Sequence, residues 1–474
     1  MKREKMSLIL VTSLIGLLLW IAGSTPKASA IPAFSRKYQT SCTTCHNDYP
    51  ELNDFGEAFK KNGFKFPKDD DVFVKEPPVL LGAKAQKEAF PKAVYPGEIP
   101  GSVPIAFRYS GNFTYNSKQP LSAGFLPRTD LFVPNTFTII GAGSFGPTLS
   151  FWVDNDISSN GQNAAAGLGD GYLKVNDLGH YIGLPKDTIN LRMGQFELDL
   201  PITQARTINL TPYDVYSQAS IAGLQGTTNN PLAFGIPQRG IELGGYPNDG
   251  NFTWSLAFVN GSNNAPAMRN YKDIYVRVSQ RFNLERDPSV RKEVQAAGPT
   301  GPRDHTSIRF GAFYYYGRNA LNIGGSLFPG TSLPTIHEPF YRVGGDFRFK
   351  YRQFEWYGVG MYGHDTNVVP NTTNTAFRPG PPVTFTGGFT EAEYWIYPWM
   401  IALMRYDFVN SPTDMINGVS RNATRNRFSP GVQMLVRANV KVAFEYQHRW
   451  EQPFDGAGEF FRPNGFVSGI DFVF

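Results

Sequence analysis

With 2 cysteines in 474 residues, the chain has too few thiols to staple a secreted fold by disulfides, so both are left for other chemistry. After residue 24 it also lacks any long apolar run, whereas a helix crossing a bilayer needs about 20 such residues. Helical membrane spanning is thereby excluded for the mature chain. Charge of one sign is scarce too: 45 Lys and Arg stand against 40 Asp and Glu, and a net +5 over this length gives no reason to expect nucleic acid as a partner. Methionine is absent between Ile31 and Arg192, and no histidine lies between His46 and His180.

What is present begins with an export signal. Lys2, Arg3 and Lys5 precede the uncharged residues 6–24 and the small triplet Ala28-Ser29-Ala30, so residues 1–30 are expected to be a signal peptide cleaved after Ala30. Position 31 carries no thiol, which argues against lipoprotein processing. Residues 31–66 hold both cysteines and one expected helix, with Asp48 as cap, Pro50 in its first turn, Leu52, Phe55 and Phe59 on one face, and Asn62-Gly63 as the stop. Residues 67–102 mix proline, lysine and acidic residues without periodicity, as a linker or plug does.

From 103 to 474 the pattern changes to alternation of period two. In 340–351, Tyr341, Val343, Phe347, Phe349 and Tyr351 oppose Arg342, Asp346, Arg348 and Lys350, so the two faces want different solvents. Sixteen such segments can be counted, joined alternately by tight turns and long loops, with 285–305 long where a short turn is expected. The sequence therefore predicts an all-β fold: an antiparallel transmembrane β-barrel of about sixteen strands (sixteen to eighteen) in outer-membrane lipid, behind a short α-helical segment. Aromatic content of 14% suits strands facing lipid. Trp395, Tyr397 and Trp399, around Pro398, are expected in an aromatic girdle at the inner interface. Residues 465–474 end in Phe474 and resemble the terminal strand by which bacterial outer-membrane barrels are recognised for insertion.

Cys42-Thr43-Thr44-Cys45-His46 is the attachment pattern of a c-type heme. Two thiols three positions apart can add to the two vinyl groups of one porphyrin, and the adjacent imidazole then meets the iron. Cys42, Cys45 and His46 are thus the expected cofactor-binding residues for one covalent heme c, with His46 as metal ligand. A zinc site would need a second cysteine pair, and a thioredoxin-like pair would need a βαβ context; the chain has neither. For the sixth iron position the sequence offers only distant candidates: His180, His305, His337, His364, His448, methionines from Met193 onward, or water.

Together with Phe34-Ser35-Arg36-Lys37-Tyr38 and the run from Pro50 to Phe59, closed by Asn62-Gly63-Phe64, this motif resembles the N-terminal segment of fused outer-membrane cytochrome-porins, among them the iron oxidases of iron-oxidising bacteria. The resemblance covers about residues 32–66. It implies one heme in or under a pore of about sixteen strands, electron transfer across the outer membrane, an extracellular donor or acceptor that includes Fe(II), and a periplasmic c-type cytochrome or other carrier. Residues 191–201 also resemble phosphate-selective porins. The loop 198–237 after them stands where sixteen-stranded porins fold a loop inward, and its charges Asp199, Arg206 and Asp214 make no evident ion filter. Two other classes stay open at this point: a diffusion porin with a heme-bearing plug, and a heme enzyme or sensor.

Overall fold

The structure is a computed structural model that describes residues 33–474 apart from 48, 67–69, 81–87, 93–97, 102, 118–127, 147, 160–166, 204–209, 212, 214, 217–233, 249, 262–269, 287–304, 323–334, 367–381, 411–413, 417–418, 422–424 and 451–463. The expected signal peptide, Asp48, Arg206 and Asp214 lie outside the described residues.

Sixteen antiparallel strands close into one barrel. They are β1 Ile105–Asn116, β2 Thr129–Phe145, β3 Leu149–Ser159, β4 Gly167–Val175, β5 Asn190–Phe196, β6 Gln238–Gly245, β7 Phe252–Val259, β8 Asp273–Arg286, β9 His305–Asn322, β10 Thr335–Tyr351, β11 Phe354–Asp365, β12 Val383–Tyr397, β13 Met400–Asn410, β14 Arg425–Arg437, β15 Val440–Arg449 and β16 Gly465–Val473. The last strand pairs with the first, Val473 opposite Arg108, and Phe474 exchanges backbone hydrogen bonds with Phe107 at 2.7 and 2.8 Å. Closure leaves no strand edge unpaired, which a lipid-embedded sheet requires.

Alternation sorts the two faces. On β8, Ile274, Val276 and Val278 point outward, while Asp273, Tyr275, Arg277 and Ser279 are buried toward the lumen. The same rule exposes Phe310, Val343, Trp356, Met404 and Ile470 on the outside. Inside, the wall is laced with ion pairs such as Arg342–Asp365 at 2.9 Å, Arg277–Asp346 at 3.1 Å, and Arg405 between Asp407 at 2.8 Å and Glu445 at 3.2 Å. No described helix is long and apolar enough to cross a membrane; the strands do so instead. Replacing Val278 by Arg should therefore cost about 2–4 kcal/mol, as a lipid-facing charge near the bilayer midplane does, while Ser279→Thr beside it, which keeps the hydroxyl bonded to Thr253, should cost far less. Denaturant unfolding in phospholipid checks both.

Tight turns, at 352–353, 398–399 and 438–439 among others, gather at one end, the periplasmic end by the rule that short turns face the periplasm. Tyr397 and Trp399 stack there with ring centroids 5.3 Å apart and are about half exposed, as a girdle requires. Trp395 is different. It is buried with Ile401 and Leu403, because the phase of β12 puts it on the lumen face with Glu391 and Glu393.

The connection after β5 enters the lumen. Its described residues Leu198, Leu200, Ile202, Tyr213, Val215, Tyr216 and Phe234 are buried against the inner wall, among Tyr275, Tyr315, Phe340 and Phe389. Arg405 binds the Thr211 carbonyl at 3.0 Å, and Tyr275 donates to the Asp199 carbonyl at 2.7 Å, so the loop is tied to opposite stretches of wall. The lumen is constricted, as the sequence led one to expect.

Candidate functional site

Residues 33–66 form a small folded body with its own aromatic core. Helix α1 (Ala33–Tyr38) and helix α2 (Asp54–Lys61) enclose Phe34, Tyr38, Phe55, Phe59, Phe64 and Phe66, with Tyr38 stacked on Phe66 at 4.2 Å and Phe34 edge-on to Phe59 at 5.0 Å. Such ring pairs favour these offset and edge geometries. Helix α3 (Asp70–Phe73) follows, its Asp70 carboxylate accepting from the Tyr38 hydroxyl and the Phe66 amide, each at 2.7 Å. Gly63, at φ 70°, ends α2 where the sequence marked the stop.

The beginning of α2 differs from the expectation. Asn53, not Asp48, is its cap: the Asn53 side-chain oxygen accepts from Gly56 N at 2.8 Å, and its amide nitrogen reaches back to the Thr44 carbonyl at 3.0 Å. One side chain thus starts the helix and holds the cysteine turn. Pro50 lies before the helix and not in its first turn.

Cys42 opens a 3-10 turn, Cys42–Thr44, and the amides of Cys45 and His46 both return to the Cys42 carbonyl, at 3.1 and 3.0 Å. The turn brings the three expected residues together; both thiols are free, and all three residues are partly exposed. The backbone then doubles back, with Asn47 N on the Glu51 carbonyl at 3.0 Å, so that the His46 Nδ1 lies 3.2 Å from the Pro50 carbonyl. Burial pushes both thiols up, Cys45 to about 12, and pulls the imidazole down to about 4. A carbonyl can only accept, so the Pro50 contact puts the proton on Nδ1 and leaves Nε2 as the ring atom with a free lone pair. These residues fit a covalent heme: adjacent free thiols and a neutral, oriented imidazole are the donor set it needs.

Gly56 locks α2 against this turn. A Cβ there would sit 2.0 Å from the Cys45 carbonyl oxygen, so Gly56→Ala must push the helix off the motif. The expected cost is about 1–3 kcal/mol to the N-terminal body, seen as earlier proteolytic cleavage within 33–66 on denaturant titration while the barrel stays intact.

The body sits in the periplasmic mouth and meets the wall around its circumference. Arg36 binds the Val103 carbonyl at 3.2 Å just before β1, Phe64 packs on Trp152 of β3 at 5.7 Å, and Lys174 of β4 donates to the Lys61 carbonyl at 2.7 Å. Asp54 pairs with Arg281 of β8 at 3.4 Å and Lys350 of β10 at 3.3 Å; Glu51 pairs with Arg348 of β10. Lys441 of β15 donates to the Tyr49 carbonyl at 2.6 Å, and Arg108 of β1 covers the Tyr49 ring at 5.4 Å. Burial would raise the Asp54 carboxyl, but Lys350 and Arg281 hold it below the usual carboxylate range; burial and then Glu355 raise Glu51 against the pull of Arg348. The segment is a stopper bonded to the barrel through charges on strands far apart in sequence.

Of the distant candidates for a sixth ligand, His364 and His448 are on the outer face, His364 stacked on Tyr341 at 5.3 Å and His448 edge-on to Trp450 at 5.0 Å, and so do not reach into the lumen. Met193 is likewise outward and 40% exposed. His180 is exposed in a 3-10 turn between β4 and β5. The side chains of His305 and His337 lie outside the described residues.

Fold and site together define a class: a porin-like outer-membrane barrel of sixteen strands whose periplasmic mouth holds a folded stopper bearing a CxxCH turn. Among solved structures the chain is similar to the outer-membrane channel DcaP of Acinetobacter baumannii (11% identity, TM-score 0.49, covering 78% of this chain and 96% of that one). It is similar also to the anion-selective porin from Comamonas acidovorans (12%, 0.49, 79% and 99%) and to OmpF of Salmonella typhi in complex with daunomycin (11%, 0.48, 78% and 97%). No family model and no curated protein matches the sequence.

Proposed function

We propose that the chain is an outer-membrane electron carrier, with one heme c attached through Cys42 and Cys45 and His46 as proximal ligand. The observation that carries this reading is the His46 imidazole, turned by the Pro50 carbonyl at 3.2 Å and held beside two free thiols in a stopper inside the barrel mouth. A bound heme supplies reversible one-electron chemistry at its iron. The chain supplies everything else. The aromatic core holds the stopper together, Asn53 and Gly56 fix the cysteine turn, and the Pro50 carbonyl sets the imidazole tautomer. Lying at the periplasmic end, the motif is within reach of a periplasmic c-type cytochrome or other carrier, while the lumen opens toward an extracellular donor or acceptor. Oxidation of Fe(II) is the activity that the cytochrome-porin resemblance assigns to such an arrangement.

The test is direct. Protein made in cells that attach c-type heme should keep its colour and its heme mass through denaturing electrophoresis, and Cys42→Ala/Cys45→Ala should lose both. A colourless wild-type chain of apo mass would remove the proposal. A second reading, a diffusion porin plugged by the same segment, is favoured by the paired charges on the lumen wall above the stopper, and solute flux unaffected by heme loss would select it.

A further inference from the structure

We infer that a hard divalent cation of calcium or manganese size bridges the stopper to the barrel wall through Glu51, Glu355 and Glu393. One carboxylate oxygen from each of these three residues lies within 4.8 Å of the other two, and all three residues are buried, none more than 3% exposed. Glu355 of β11 and Glu393 of β12 are direct cross-strand partners, and like charges so placed repel. Glu51 then enters from the stopper to make a third carboxylate.

The cations at hand do not balance this group. Arg348 serves both Glu51 and Glu355, and Lys350, 3.9 Å from Glu355, is shared with Asp54 at 3.3 Å. Among the described residues Glu393 makes no ion pair; it accepts only from the Tyr357 hydroxyl, at 2.8 Å. The Oε2 atoms of Glu51 and Glu393 are buried without a hydrogen-bond partner, a costly state that an ion between them would relieve.

Oxygen ligands on opposite sides of Ca²⁺ stand up to about 4.6–5.2 Å apart, so three carboxylate oxygens within 4.8 Å of one another can share one such ion, and a buried set of protein carboxylates suits it better than Mg²⁺, which keeps several of its waters. An all-carboxylate donor set selects the same hard class. The site is independent of the heme reading, since its ligands are carboxylates of stopper and wall and not the CxxCH residues.

Full-length protein in detergent, stripped with EDTA, is titrated with MnCl2 and free Mn²⁺ is followed by electron paramagnetic resonance. The expected result is one Mn²⁺ per chain, displaced by Ca²⁺ at lower concentration than by Mg²⁺, with affinity weakened about tenfold or more in Glu393→Gln and in Glu51→Gln. Asp471→Asn, at the separate Arg108 pair, should bind as wild type. Without any variant, Mn²⁺ or Ca²⁺ should slow protease cleavage within 33–66 relative to EDTA. No Mn²⁺ bound by wild type at millimolar metal, binding unchanged in Glu51→Gln/Glu393→Gln, or a cleavage rate indifferent to metal would each overturn the inference.

Discussion

A cytochrome c sealed in its oxidised form inside liposomes should become reduced when Fe(II) is supplied only outside, provided the protein is inserted with its short turns inward. Cys42→Ala/Cys45→Ala and His46→Ala should each bring the rate down to that of protein-free vesicles. The orientation follows from the stopper, whose contacts with Lys441 and Lys350 lie beside the short turns 438–439 and 352–353 at the periplasmic end. The two variants fail for different reasons, and that difference can be measured. On the proposed attachment, the double cysteine variant would have no covalent hold on a porphyrin, so its expected signature is loss of colour on denaturation. By the same attachment, His46→Ala would keep both thiols and the heme mass but lose the imidazole oriented by Pro50, so its expected signature is a shifted spectrum and potential. Unchanged transfer in the double cysteine variant would take the motif out of the function altogether.

Deleting residues 33–101 should raise single-channel conductance in planar bilayers roughly tenfold, because a sixteen-stranded barrel without a plug encloses an aqueous lumen. The barrel should survive the deletion, since strand pairing closes from β16 to β1 with no residue of the stopper in the ladder. What the deletion removes is a body that touches β1, β3, β4, β8, β10 and β15, and so covers the mouth from several sides. Conductance should still stay below that of a bare barrel, because Leu198, Tyr213 and Phe234 hold the inward loop against the opposite wall. Equal conductance before and after deletion would mean that the stopper does not limit the pore.

Much of this was legible without coordinates. Period-two alternation is a local property, imposed on each strand by lipid on one side and polar lumen on the other, so β1 to β16 and their parity could be counted from residues 103–474. The length and position of the 198–237 connection marked the loop that enters the lumen. The stop at Asn62-Gly63 was legible because αL glycine ends a helix by backbone sterics alone. Asp48 and Asn53 are equally good caps by chemistry, so local sequence does not choose between them; in the fold Asn53 caps α2 while its amide also holds the Thr44 carbonyl. Trp395 was assigned to the girdle by its neighbours Tyr397 and Trp399, although its alternation with Glu391 and Glu393 sets it facing inward.

By itself, then, the sequence determined the period of every strand, the tight turns, and the spacing of Cys42, Cys45 and His46, because each depends on residues within a few positions of one another. Only the tertiary structure decided that the stopper lies inside the periplasmic mouth, and that Glu51 meets Glu355 and Glu393. Those facts depend on groups some three hundred residues apart, and they become neighbours only when the last strand hydrogen-bonds to the first and wraps the charged faces around the stopper.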